Sequence, residues 1–483
     1  MQGAKTYNTG RRQIRHVPHQ VILTGPEGQV SDAARRFEKT LWPIENAPPL
    51  PLGKVAKVLE DCAHRPSFAD DLLNIGECTD PDADWVMALY QVAAGELVDD
   101  AVANVNGLRT EEGHCVWANP NWLIGYVKGL PHTGAGSPYG ALGGPATESG
   151  FWGQWAFEQI GLYTATGDRS VAETGCGVRV GVFDTSPFST PGSKLIGWIA
   201  PQLTLCVSHP AIFDVLQPHM PRLAGSSPPL LPDHGLAVAG LVHAVAPGSK
   251  IALYRVLNEH ALGNLFVLAT ALVDFILGPF PDRVPPPTGG VINLSLGSPI
   301  AALPGEVALG LKLVLARAHC LGYTIAAAAG NASGPAGPAL PMEVPAKFGF
   351  VNGVAATTRC GDRACFSNKG DLAAPGGDGV GESCDAVFVE GSGVNPDLGL
   401  ISLVSSFDTH PDGYAYCAGT SFATPLVAGQ AALLLEAKKG LLSTASGGQI
   451  PAEAANQIKG NTKPGSAGQD RGAGIIDVHR SLL

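Results

Sequence analysis

Residues 290–331 read GVINLSLGSPIAALPGEVALGLKLVLARAHCLGYTIAAAAGN, and their reading decides the fold. A short Val/Ile-rich run (290–297) leads into a stretch with helical spacing (306–322), and an Ala-rich apolar run closes it (323–331). Two continuous apolar strands joined through a helix imply a parallel sheet that is buried on both faces. Upstream the same alternation continues in GVRVGVFD (177–184), HGLAVAGLVHAVA (234–246), KIALYRVL (250–257) and LGNLFVLATALVDFILG (262–278). The pattern predicts one α/β domain over residues 151–483, with a mostly parallel central sheet covered by helices. In such sheets the active site gathers beyond the C-terminal ends of the strands.

Before residue 151 the texture differs. Residues 1–50 read as an N-terminal extension with a basic start and the proline-rich WPIENAPPLPLG (42–53) at its end. Residues 51–131 read as a smaller α+β region. Within it, ADWVMALYQVAAGELVDDAVANVNG (83–107) shows helical apolar periodicity, and CVWANPNWL (115–123) alternates as a strand. The segment HTGAGSPYGALGGPATESG (132–150) has the composition of a linker or exposed loop.

Bulk composition narrows the function classes. A hydrophobic share of 45% against 15% charged residues, in a chain of 483, allows a large core. The net charge of −11 argues against a nucleic-acid partner. The most apolar window, 262–280, is interrupted by Asn264 and Asp274 and closed by Pro279 and Pro281. It reads as a core helix, and no membrane partner is expected. The ten cysteines include no C-x-x-C pair, so no zinc site is expected. Cys360 and Cys365 bracket a short loop that a bridge could close, with free buried thiols as the default. The basic N-terminus has no apolar stretch behind it, which gives a cytoplasmic expectation; export by a route not visible in the sequence is the alternative.

Three element ends in 151–483 finish on residues that chemistry can use. Asp184 lies just past an apolar strand in VFDTS, His234 opens a helix in HGLAVAG, and Ser421 opens another in AGTSFATP. Taken singly, each has a plain reading: a strand-end turn residue, a helix-start residue capped by Asp233, and a helix N-cap. Together they are an acid, a base and a nucleophile. A serine hydroxyl attacks well only when an imidazole takes its proton, and a buried carboxylate holds that imidazole in the right tautomer. Asn331, at the end of AAAAGN, could donate its amide to a developing oxyanion, or could simply suit a turn. His243 and His260 read as satisfied polar residues, and Ser367 as a surface-loop serine. The glycine clusters around 132–140 and 376–383 lack the strand-then-helix setting of a phosphate cradle.

These motifs, in this order, resemble those of the subtilisin-like serine proteases, the subtilase family. VFDTS matches the family's aspartate motif, HGLAVAG the histidine motif and GTSFATP the serine motif, while AAAGN matches the oxyanion asparagine. VINLSLG (291–297) resembles the strand that binds substrate backbone, with Ser295, Leu296 and Gly297 as its edge. The resemblance implies a subtilisin-like three-layer fold, and a serine endopeptidase working through Asp184, His234 and Ser421 on polypeptide substrates. It also implies that the region before 151 is a prodomain, an intramolecular inhibitor or folding chaperone removed by self-cleavage. Ala339 matches the floor of the family's specificity pocket, which implies room for a large apolar side chain. There are departures. Leu236 and Ala237 replace the Thr and second His of the usual histidine motif, and Ser186 stands where Gly is usual. HAVAPGSKIALY (243–254) runs straight on where many members insert a calcium loop, so neither calcium nor another cofactor is expected. The altered histidine motif motivates the alternative of a catalytically impaired subtilase fold that serves as a peptide-binding or scaffold protein. An esterase is the third reading, weakened by the lack of a G-x-S-x-G elbow.

Overall fold

The computed structural model describes residues 7–9, 12–14, 16–45, 47–55, 78, 80–125, 142–186, 199–206, 233–258, 261–278, 289–298, 300, 306, 308–334, 337–380, 385–386, 398–405, 411–438 and 449–483. His260, and much of the two glycine clusters, lie outside these residues. At the centre is a seven-stranded sheet in the order Leu203–Cys206, Lys250–Arg255, Arg179–Asp184, Val291–Leu294, Thr324–Ala328, Asn352–Thr357, Leu372–Pro375. Every pairing in it is parallel. Alternate side chains divide between two cores. Val180, Val182, Val291 and Ala326 pack on one face against the helices His234–Val245 and Thr420–Ala437. Phe183, Ile292, Ile325 and Ala327 pack on the other against Leu265–Leu277 and Leu309–Cys320. This is the doubly covered parallel sheet that the apolar runs imply. Both of its long central helices are buried because each face of the sheet needs covering.

The N-terminal part forms a second, antiparallel sheet. His16–Pro26 lies between Asp84–Val92 and Trp117–Gly125, with Leu41–Pro43 and Leu50–Lys54 both paired to Asp84–Val92. The strand His16–Pro26, inside the stretch read as an extension, is thus central to it. Asp84–Val92 is a strand where sequence periodicity predicts a helix; only Val98–Glu112 of that stretch is helical. The reason is burial on two sides. Val86, Ala88, Tyr90 and Val92 face the helices Glu27–Arg36 and Val98–Glu112, whereas Trp85, Met87 and Leu89 face the helices Leu265–Leu277 and Leu309–Cys320 of the parallel-sheet domain. With both faces apolar, the polar/apolar alternation that marks a strand is erased.

Cysteine pairing also departs from expectation. Cys78 and Cys115 form a disulfide, Cys320 and Cys365 are each in a disulfide, and Cys360 is a free exposed thiol. The short-loop bridge between Cys360 and Cys365 therefore does not form. Cys78 and Cys115 approach because each precedes a strand antiparallel to His16–Pro26, so both strands start at the Thr24–Pro26 end of it. Sequence spacing of 37 gives no hint of that. Among the described residues no helix is long and apolar enough to cross a membrane.

Candidate active site

Three strands of the parallel sheet deliver the site. Arg179–Asp184 and Val291–Leu294 are neighbours from which the chain continues to opposite edges of the sheet, and beside them runs Thr324–Ala328. Their C-terminal ends carry Asp184, Ser295–Gly297 and Gly330–Asn331, the crevice position expected of an α/β sheet.

Asp184 and His234 are both fully buried, with His234 Nδ1 2.8 Å from Asp184 Oδ1. A carboxylate only accepts, so Nδ1 carries the proton and Nε2 is left as the basic nitrogen. Asp184 Oδ1 also accepts from the Thr185 N–H at 2.7 Å, and Thr185 Oγ1 accepts from the Gly235 N–H at 3.0 Å. These bonds tie the strand end to the first turn of the histidine helix. Only glycine permits the contact: a Cβ on Gly235 would sit 2.1 Å from the Thr185 carbonyl oxygen. Asp233 does not cap that helix with its side chain. It accepts from the Ser405 N–H at 3.0 Å instead.

The serine helix, Thr420–Ala437, begins at Gly419, whose φ of 145° suits glycine alone. Ser421 occupies its first turn and is buried; the ring of Phe422, the next residue, lies 5.0 Å from the His234 ring. Pro425 has no N–H, so the carbonyl of Ser421 loses its partner four residues on. Ser295 supplies the replacement: its Oγ donates to the Ser421 carbonyl at 2.7 Å, and Asn293 Nδ2 donates to Ser295 Oγ at 3.0 Å. In return Ser421 Oγ reaches the Ser295 carbonyl at 3.3 Å. The strand end and the serine helix are thereby locked together. Asn331 Oδ1 accepts from Thr420 N–H at 2.8 Å and Thr420 Oγ1 at 2.9 Å, which fixes the amide flip and leaves its NH2 end as the donor turned away from Thr420.

Gly297 and Ser298 are occupied by the chain itself. The Gly125 N–H donates to the Gly297 carbonyl at 3.0 Å, and Ser298 Oγ donates to the Leu123 carbonyl at 3.0 Å. On its other side Leu123–Gly125 pairs antiparallel with Leu262–Asn264. The N-terminal sheet therefore extends its strand Trp117–Gly125 between two segments bordering the site. Asn121 anchors it further, with Nδ2 donating to Asn264 Oδ1 at 3.2 Å and Oδ1 accepting from the Phe266 N–H at 3.3 Å. The sequence reading missed Leu262–Asn264, because it merges into the following helix, and missed Thr185 and Thr420, which stand beside motif residues. Among the described residues no group of three or more His, Cys, Asp or Glu is arranged to hold a metal ion.

A profile of the subtilase family (Peptidase_S8) matches residues 224–474. The chain belongs to the subtilase family. The matched span includes His234, Ser295–Gly297, Asn331 and Ser421; Asp184 precedes it. This subtilase is 31% identical over 270 residues to an extracellular protease of Xanthomonas campestris pv. campestris, covering 52% of the chain and 40% of that protein. It is 31% identical over 215 residues to a subtilisin of Bacillus pumilus, covering 42% of the chain and 62% of that protein. The matched part of the subtilase thus spans about half the length of these curated relatives. A solved structure of proteases from Pseudoalteromonas arctica PAMC 21717 aligns with a TM-score of 0.50 at 26% identity, over 70% of this chain and 98% of that one.

Proposed function

We propose that this subtilase is a serine endopeptidase made as a zymogen, with Ser421 as nucleophile, His234 as general base and Asp184 as the carboxylate that orients it. The observation that carries this reading is the buried Asp184–His234 pair, 2.8 Å apart, with His234 packed on Phe422 at the start of the serine helix. His234 Nε2 takes the Ser421 proton as Oγ attacks the peptide carbonyl. The oxyanion is met by Asn331 Nδ2 and the Ser421 backbone N–H at a helix N-terminus, where partial positive charge is already oriented. The imidazolium then protonates the leaving amine. Water, deprotonated by the same His234, releases the acyl group and restores Ser421.

Leu123–Gly125 supports the zymogen part of the reading, because it lies where a polypeptide substrate would pair with Gly297. Strand Leu142–Ala146 already belongs to the peptidase side, paired with Tyr414–Cys417. Self-cleavage is therefore expected between residues 125 and 142. The disulfide Cys78–Cys115 favours an oxidising compartment, and with it export over a cytoplasmic location.

The test is intact mass and N-terminal sequencing of wild type beside Ser421→Ala, with fluorophosphonate labelling of both. The expected result is a shortened, labelled wild type and a full-length, unlabelled variant. A wild type that neither shortens nor labels would assign the chain to the peptide-binding or scaffold class.

A further inference from the structure

One acidic side chain stands in the site that neither the mechanism nor the motifs use. Glu343 lies between the ends of two sheet strands. Its N–H donates to the Ala329 carbonyl at 3.0 Å, and the next residue, Val344, exchanges hydrogen bonds with Ser298 at 2.9 and 3.1 Å. Its side chain covers two glycines. Glu343 Oε2 lies 2.9 Å from where a Cβ on Gly297 would be, and Glu343 Cδ lies 2.9 Å from where a Cβ on Gly330 would be. Gly297 is the edge that bonds the Leu123–Gly125 segment, and Gly330 precedes Asn331. The absence of side chains at both glycines thus lets Glu343 pack against the two segments, with Asn368 Nδ2 2.5 Å from the same Gly330 position.

Any peptide whose carbonyl oxygen reaches Asn331 while its backbone runs along Ser295–Gly297 must place one side chain between those two segments. That side chain belongs to the residue on the acyl side of the bond cut. A half-buried carboxylate packed against both segments selects the charge of that side chain. We infer that Glu343 makes this subtilase specific for peptides with arginine or lysine on the acyl side of the scissile bond. This inference rests on the endopeptidase reading above. It replaces the apolar preference drawn from Ala339, which is buried four residues before Glu343. Arginine is the better fit, because its planar guanidinium can offer two parallel N–H donors to a carboxylate.

The experiment compares kcat/KM for succinyl-Ala-Ala-Pro-X p-nitroanilides, with X as Arg, Lys, Leu or Phe, on processed wild type and Glu343→Gln. Wild type is expected to favour Arg and Lys. The Gln variant, of nearly equal volume, is expected to lose about 30-fold on Arg, the lower end of the cost of removing one partner of a buried charge pair, and to change little on Leu. A merely structural Glu343 would lower all four substrates together, and that outcome overturns the inference. So does a wild type that prefers Leu or Phe. Hydrolysis of no substrate and no fluorophosphonate labelling would instead sink the endopeptidase reading itself.

Discussion

Asn331 performs two separable tasks in the proposed site, and two substitutions divide them. Its Oδ1 holds the Thr420 N–H and hydroxyl at 2.8 and 2.9 Å, while its NH2 end is the oxyanion donor. Asn331→Leu removes both. Loss of two buried hydrogen bonds, at about 1 kcal/mol each, costs about 2 kcal/mol of stability. Loss of the donor lowers kcat by about 10²–10³, the range known for the corresponding donor in subtilisin, a relative of this chain. Asn331→Asp keeps the acceptor for Thr420 but turns the donor into a carboxylate oxygen. Its Tm should stay near that of wild type while kcat falls at least as far as in the Leu variant. The assay is steady-state peptide hydrolysis beside calorimetry, on samples whose intact masses show the same processing. A kcat within threefold of wild type in either variant, or a loss confined to KM, would refute the oxyanion role.

Three further outcomes follow from the same contacts. Ser295→Ala leaves the Ser421 carbonyl, already deprived by Pro425, without its hydroxyl donor, and should cost about 1–3 kcal/mol in thermal unfolding. Ser295→Thr should recover most of it. The Cys78–Cys115 disulfide closes a loop of 37 residues, so the double Ser variant should lose about 4 kcal/mol in denaturant titration on chain-entropy grounds. His243 is buried in the histidine helix, and burial lowers its pKa from 6.5 to about 4. Between those values the unfolded chain binds a proton that the folded chain refuses. Stability is then full above about pH 6.5 and falls as pH drops toward about 4. The fall in Tm from pH 7 to pH 4.5 should shrink in His243→Leu; an unchanged fall would exclude this group as its source.

The parallel sheet was legible because each of its strands is a short apolar run bounded by a helix or a turn. Resemblance to the subtilase motifs, rather than spacing, is what singled out Asp184, His234, Asn331 and Ser421. What escaped was whatever depends on a second element coming close. Asp84–Val92 looked helical because helices of the parallel-sheet domain cover the face that solvent would otherwise make polar. Cys78 found Cys115 across the N-terminal sheet. Glu343 acquires its meaning only from two glycines, 46 and 13 residues before it, whose missing side chains let its own pack against both segments. Its one trace in the sequence was as one of two charges, with Lys347, within the otherwise apolar stretch PALPMEVPAKFGFV (338–351).

The shared core beneath the N-terminal sheet has a temporal consequence. Trp85, Met87, Trp117, Trp122 and Ile124 pack in the same cluster as Leu265, Phe266, Leu311 and Leu315. Cutting one peptide bond after Gly125 removes none of these contacts, and the strand lying along Gly297 stays in place. In the proposed zymogen, scission and activity are then separate events, the second waiting on departure of the whole sheet. Activity should rise after a lag. The lag shortens once freed molecules begin to digest the fragments that leave, so a population switches on abruptly rather than in proportion to the chains cut.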